Sequence, residues 1–153
     1  MTIAPSLHLK PATLENLEAM RSLLQINQLP DSDIAGLMAE GQAGRFWLAY
    51  DASDWVGIAG IEVYPPYGLL RSIVVAEAFR GQGYGHKLCQ QILAQAKSLG
   101  IEELYLLTNT AADFFERIGF EGCDRQTTPT VLQKTTEFSH LCPASATCMK
   151  LKL

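Results

Sequence analysis

The residues best placed to do chemistry are Arg80-Gly81-Gln82-Gly83-Tyr84-Gly85. Three glycines at alternate positions let the backbone turn sharply and approach a ligand with no Cβ atoms in the way. An apolar run precedes this stretch and a helical pattern follows it. The first free N–H groups of that helix point at the same place, and its dipole favours an anion. A phosphate group is the natural guest. Two familiar phosphate loops do not fit. A P-loop needs a Gly-Lys-Ser or Gly-Lys-Thr end that the chain lacks. A dinucleotide fingerprint needs G-x-G-x-x-G, whereas the spacing here is G-x-G-x-G, and Glu102 and Glu103 stand at the wrong end of the next strand to bind a ribose.

Two further features bear on chemistry. Arg71 interrupts an otherwise apolar strand, Leu69 to Val75. Its guanidinium either holds a substrate carboxylate in a bidentate pair or forms an internal salt bridge, for example to Glu62. Cys123, His140, Cys142 and Cys148 invite a soft-metal reading. Their spacing is irregular and no C-x-x-C pair occurs, so no metal is expected and the cysteines read as reduced thiols. By parity Cys148 falls on the Lys150 side of its strand. His86, just inside the helix start, either assists a phosphate or is simply solvated.

The elements that position these residues follow from periodicity. Leu7 to Lys10 reads as a strand. Thr13 caps a helix from Leu14 to about Gln28, and Asp31 caps a shorter one to about Glu40. Arg45 to Tyr50 and Trp55 to Tyr64 form a hairpin, followed by a strand from Tyr67 to Ala76 whose apolar core implies burial on both faces. Tyr84 to Leu99 is a helix with Leu88, Ile92, Ala96 and Leu99 on one side. Gly100 ends it, and Ile101 to Leu107 is a buried strand. Strand, helix, strand implies a right-handed crossover and parallel pairing. Thr110 and Asp113 stand at capping-box spacing before a short helix to Ile118, closed by Gly119. A strand starts at Phe120, a helix runs from Thr128 to about His140, and Thr147 to Leu153 alternates as a last strand. The fold class is α/β with a mixed sheet.

Arg80 to Gly85 matches R-x-x-G-x-G, and in its strand-loop-helix setting it resembles the acyl-CoA pyrophosphate loop of the GNAT acetyltransferase superfamily. Leu70 to Ala76 resembles the preceding motif strand, and Ala111 to Phe120 the late helix ending in Gly-Phe. The resemblance covers about Ile58 to Phe120. Leu104 to Phe115 and Glu137 to Met149 are similar to arsenic-resistance N-acetyltransferases and to the acetyltransferase part of N-acetylglutamate synthases. The resemblance implies one GNAT domain over residues 1–153, with a mostly antiparallel sheet of six or seven strands and a central splayed parallel pair near 69–76 and 101–107.

It also implies acetyl-CoA as cosubstrate and direct acetyl transfer to the amine of a small molecule, an amino acid or glutamate analogue, arsenic-containing analogues among them. The cofactor would lie against Ile73, Val74 and Val75 and on Arg80, Gly81, Gln82, Gly83, Tyr84 and Gly85. Glu62, in an apolar strand, is the candidate base, or else an ordinary partly exposed strand glutamate. The position of the usual thiolate-protonating tyrosine is Phe115, which has no proton to give but should still touch CoA. Tyr105 is a substitute acid or a core tyrosine. Thr108 takes the place of the usual Asn, and Asn109 is one residue off.

Composition narrows the partners. Twelve basic against sixteen acidic residues give a net charge of −4, which argues against a nucleic-acid partner. Residues 78–101 nonetheless hold Arg80, Lys87 and Lys97 and no acid, so the phosphate loop is locally cationic. Apolar residues are 48% and charged residues 18%, a balance that suits an apolar cleft or a homodimer contact. No apolar run is long enough to span a membrane. The first ten residues lack the pattern of a secretory leader, and a cytoplasmic location is expected. Two other functions compete with a small-molecule acetyltransferase. One is a non-catalytic acyl-CoA sensor, which Phe115 favours, and the other is protein acetylation.

Overall fold

A computed structural model describes residues 6–153. The reading of the chain's start as lacking a leader falls partly on residues 1–5, outside the described residues. Seven strands form one sheet: β1 (His8–Pro11), β2 (Gly44–Asp51), β3 (Asp54–Tyr64), β4 (Tyr67–Val75), β5 (Glu103–Thr108), β6 (Glu121–Gly122) and β7 (Thr147–Lys152). Their order is β1-β2-β3-β4-β5-β7-β6. The β4–β5 pair is parallel and every other pair antiparallel. The helices are α1 (Leu17–Ile26), α2 (Ile34–Met38), α3 (Tyr84–Ser98), α4 (Ala112–Ile118) and α5 (Thr130–Gln133). This is the mixed, mostly antiparallel sheet with a central parallel pair that the motif order implies.

Side chains alternate across a strand, so an apolar strand feeds two cores. Trp47, Ala49, Ala59, Ile61, Leu70, Leu104 and Leu106 pack with Leu88, Ile92 and Ala96 of α3. On the other face, Phe46, Leu48, Ile58 and Val74 meet Met20 and Leu24 of α1 and Ile34 of α2. Farther along, Leu69, Tyr105 and Cys148 meet Leu132 and Phe138. Cys148 is therefore buried, not outward: parity placed it correctly opposite Met149, but the chain after β6 folds back and covers that face too. Among the described residues, no helix is long and apolar enough to cross a membrane.

Three local expectations are corrected. Asp31 does not cap α2, because its carboxylate takes Arg21 Nε at 3.0 Å and Gln25 Nε2 at 2.8 Å. Thr110 does not open α4; Thr108 Oγ1 accepts from Ala111 N at 3.0 Å instead. The helix expected over residues 128–140 breaks in the middle. Thr135 Oγ1 donates to Leu132 O at 2.6 Å and accepts from Phe138 N, which competes with the helical ladder. The chain resumes as a single π turn, Glu137–Leu141, closed by Cys142 N donating to Glu137 O at 2.9 Å. Such wide turns recur at functional sites.

Candidate active site

The gap that defines the site is built into the sheet. β4 and β5 pair only from Tyr67↔Glu103 to Leu69↔Tyr105. Past Leu69 the two strands part, although β4 continues to Val75 and β5 to Thr108. A bulge in β4 helps to turn the strand away. Ile58 pairs with Val74 and Gly60 with Arg71, so Ala59 faces both Ser72 and Ile73. Ser72 sits at φ 58°, a left-handed conformation that costs a non-glycine residue about 1 kcal/mol or more. Gly57 allows the close approach of β3, since a Cβ there would lie 2.2 Å from Val74 O.

A cavity of about 970 Å3 opens between the parted strands. Ile73, Val74, Val75, Arg80, Gly81, Gly83, Tyr84, Gly85, Asn109 and Phe115 all line it. Gly81 and Gly83 stand at φ 76° and 88°, which is why glycine is needed at these two positions. The loop leads into α3, fifteen residues long, with its first N–H groups free of helical partners. Arg80 is fixed from both sides: Nε donates to Val75 O at 3.0 Å and Nη2 donates to Asn27 Oδ1. The residues fit a pyrophosphate at the loop and a slender acyl arm in the gap.

Two loop residues are placed differently from the rest. Gln82 is absent from the cavity wall and its Nε2 reaches back to Ala78 O at 3.4 Å. Tyr84 turns its ring into the core, edge-on to Phe79, and its hydroxyl donates to Asp51 Oδ2 at 2.5 Å. That bond holds its phenol above the usual tyrosine pKa. Its contribution to the loop is backbone. Phe115 packs between Phe114 and Phe120 and touches the cavity with an apolar ring. Tyr105 lies on the opposite side of the sheet, in the core with Leu69 and Leu132, and its hydroxyl donates to Glu103 Oε2 at 3.3 Å. Burial pushes it up to about 12. It is a core tyrosine.

The other end of the cavity holds a buried charge cluster. Arg71 Nη1 and Nη2 donate to the two oxygens of Asp33 at 2.6 and 2.7 Å. Nη1 also donates to Glu62 Oε2 at 2.8 Å, and Nε lies 3.3 Å from Glu137 Oε2. The Arg71 side chain has no exposed surface. The internal ion pair with Glu62 is therefore formed, and two further acids join it. Burial disfavours the Arg71 charge, but the Asp33 hydrogen bond and the three carboxylates outweigh it and hold its pKa above the ordinary guanidinium value. Glu62 is 1% exposed and does not line the cavity. Both its oxygens are engaged, since Tyr64 donates its hydroxyl to Oε1 at 2.6 Å.

Glu137 does line the cavity. Burial, with added repulsion from Glu62 and Asp33, pushes its carboxyl up to about 7 against the pull of Arg71 and the Cys142 thiol. Asp33 and Glu137 escape a reading of the sequence. Asp33 sits 38 residues before Arg71, and Glu137 lies in a stretch that scans as the end of an ordinary helix. The glutamate beside Phe138 in a Thr-rich, helix-breaking segment is the only hint.

Among the described residues, no group of three or more His, Cys, Asp or Glu side chains is set to hold a metal. The cysteines are free thiols. Cys123 and Cys148 approach each other at 3.2 Å between sulfurs, and Cys142 lines the cavity.

Residues 42–122 match the model of the acetyltransferase (GNAT) domain, and the chain belongs to that family. An uncharacterized N-acetyltransferase of Chlorobaculum tepidum is 27% identical over 82% of this chain and 90% of its own length. An amino-acid acetyltransferase of Edwardsiella ictaluri is 27% identical over 67% of this chain, which spans 28% of that relative. Among solved structures, N-acetylglutamate synthase of Neisseria gonorrhoeae, complexed with coenzyme A and L-arginine, superposes with a TM-score of 0.78 at 17% identity, over 99% of this chain and 34% of its own. The Mycobacterium tuberculosis protein Rv2747, in complex with CoA and NLQ, gives 0.75 at 20% identity over 95% and 99%. These likenesses establish a common fold.

Proposed function

We propose that the chain transfers an acetyl group from acetyl-CoA to the amine of a small molecule, an amino acid or a glutamate analogue, arsenic-containing analogues among them. The observation that carries this is the parting of β4 and β5 after Leu69, in the same cavity that Arg80, Gly81, Gly83, Tyr84 and Gly85 line. One opening thereby joins an anion cradle to backbone groups that no longer pair in the sheet. The similarity to amino-acid acetyltransferases supports the acceptor class.

Acetyl-CoA supplies an acetyl group already activated as a thioester. Gly81, Gly83, Gly85 and the start of α3 would hold its pyrophosphate through backbone N–H groups. Ile73 to Val75 would pair with the acyl arm, and a backbone N–H there would stabilise negative charge on the thioester carbonyl. Holding amine and thioester together in a narrow gap supplies much of the acceleration by orientation alone. Phe115 gives no proton to the departing sulfur. A thiol with a pKa near 8.5 leaves adequately without one. The free cysteines fit a reducing cytoplasm.

Free-thiol release from acetyl-CoA, measured over a panel of amino acids and amine-bearing analogues, tests the proposal. Saturable release with at least one amine is expected. Because Phe115 also suits a sensor, saturable binding of CoA with no release on any amine would replace the transferase with that second function. No thermal stabilisation by acetyl-CoA would refute both, since a ligand well above its Kd must stabilise the fold it binds.

A further inference from the structure

The cluster beneath the cavity is not neutral. Asp33, Glu62 and Glu137 surround one guanidinium, so ionised carboxylates outnumber their counter-charge by two. Buried charges are stable only when compensated. Asp33 and Glu62 hold the short contacts to Arg71, at 2.6 to 2.8 Å, and Glu137 the longest, at 3.3 Å. The Arg71 Nε hydrogen is also directed at Ser72 Oγ, 3.2 Å away. Glu137 is thus the least compensated of the three, and unlike Glu62 it faces the cavity. Ser72, Ile73, Val74 and Val75, where the thioester would lie, line the same cavity.

We infer that Glu137 is the catalytic base, and that the acceptor enters as a primary alkylammonium whose positive charge pairs with Glu137 in the Asp33–Glu62–Glu137 cluster. This deepens the acetyltransfer function and rests on it. The ammonium supplies one of the two missing counter-charges, next to the carboxylate that has the weakest hold on Arg71, so partial charge compensation and acceptor recognition are one property of the site. The other guanidinium lining the cavity, Arg80, stands at the phosphate loop. A carboxylate carried by the acceptor must therefore point away from the cluster. Arg71, Asp33 and Glu62 are positioning residues that set the charge Glu137 feels.

The proton balance closes. Glu137 takes one proton from the ammonium, leaving a neutral amine. The nitrogen lone pair forms the C–N bond to the thioester carbon, the C–S bond breaks, and its electron pair leaves on sulfur. The second nitrogen proton passes to the thiolate. Amide, CoA thiol and one proton, held by Glu137 and then lost to water, are the products. A carboxyl that ionises near neutrality suits this task, and the value of about 7 at Glu137 is set by groups facing it from every side. These are Arg71 on β4, Glu62 on β3, Asp33 before α2, and Cys142 after its own turn. Arg125, behind the turn, donates to Phe138 O and Cys142 O, and His140 on the same turn is exposed.

The test uses the full chain, acetyl-CoA and the best amine from the panel. Glu137→Gln should lower kcat about 100- to 10,000-fold, abolish the acidic limb of the kcat/KM profile near pH 7, and leave CoA-induced thermal stabilisation intact. Asp33→Asn, which removes a repelling charge, should move that limb to lower pH; a purely structural Glu137 would leave the limb in place. Infrared titration without substrate gives a reading independent of turnover: a protonated-carboxyl band that vanishes near pH 7 in the wild type and is missing in Glu137→Gln. Near-wild-type turnover by Glu137→Gln with the limb preserved, or the infrared band unchanged in that variant, overturns the inference while the transferase function stands. A wild type that binds acetyl-CoA and acetylates no amine overturns that function, and the inference with it.

Discussion

Replacing Arg71 by methionine should reveal how the buried charges are held. The substitution keeps length and volume but removes the charge that faces Asp33, Glu62 and Glu137. Breaking a buried pair by deleting one partner costs about 3–5 kcal/mol, because the remaining charge is uncompensated. That magnitude applies here because the guanidinium has no exposed surface and Glu62 is 1% exposed. The cost should depend on pH with a definite sign. Without Arg71 the carboxylates keep their places only by binding protons, so their folded-state pKa values rise above the unfolded ones. The folded state then holds more protons, and stability falls as pH rises through the raised values. The deficit against wild type should be small near pH 5 and full near pH 8. Urea unfolding at both pH values, read by linear extrapolation, measures it. At about 2–4 °C per kcal/mol for a chain of this size, melting at pH 8 should drop by roughly 6–20 °C. A deficit under about 1 kcal/mol, or one equal at pH 5 and pH 8, would refute the buried-cluster reasoning, since surface pairs behave in that way.

Other expectations follow from single positions. Gly83→Ala places a Cβ at φ 88°; it should cost about 1–2 kcal/mol and raise KM for acetyl-CoA while leaving KM for the amine unchanged in initial-rate kinetics. Gly57→Ala drives a Cβ against Val74 O and should destabilise the bulge by about 3 kcal/mol, seen as a lower urea midpoint. In the wild type, Glu137 binds its proton more tightly folded than unfolded, up to about 7. Its contribution is complete below about pH 4.5 and lost as pH rises through 7, and Glu137→Gln should flatten that part of the stability profile. Burial holds the Cys89 and Cys148 thiols up at about 12, so native protein at pH 8 should resist iodoacetamide there and react after unfolding.

The glycine loop at one end of the cavity was legible in the sequence and the buried charge cluster at the other was not. Gly81, Gly83 and Gly85 take their places through local backbone geometry at the start of one helix, and local geometry is written in consecutive residues. The same holds for most strands and for α3, whose apolar periods match their pairing. Arg71 and Glu62 were visible as charges in apolar strands, but which partners they take was not. Asp33, Glu62, Arg71 and Glu137 come from four separate elements, and only the stacking of α2 and the π turn on one sheet face brings them together. The break at Thr135 was hidden for a related reason. The sequence after Thr128-Pro129 offers a helix start but no definite stop before Pro143, whereas the fit of Leu132 and Phe138 onto Leu69, Tyr105 and Cys148 decides where the chain turns. Local sequence therefore determined the glycine loop and the helix it opens; tertiary packing alone decided the buried charge cluster, because buried electrostatics depend on distances between residues far apart in the chain.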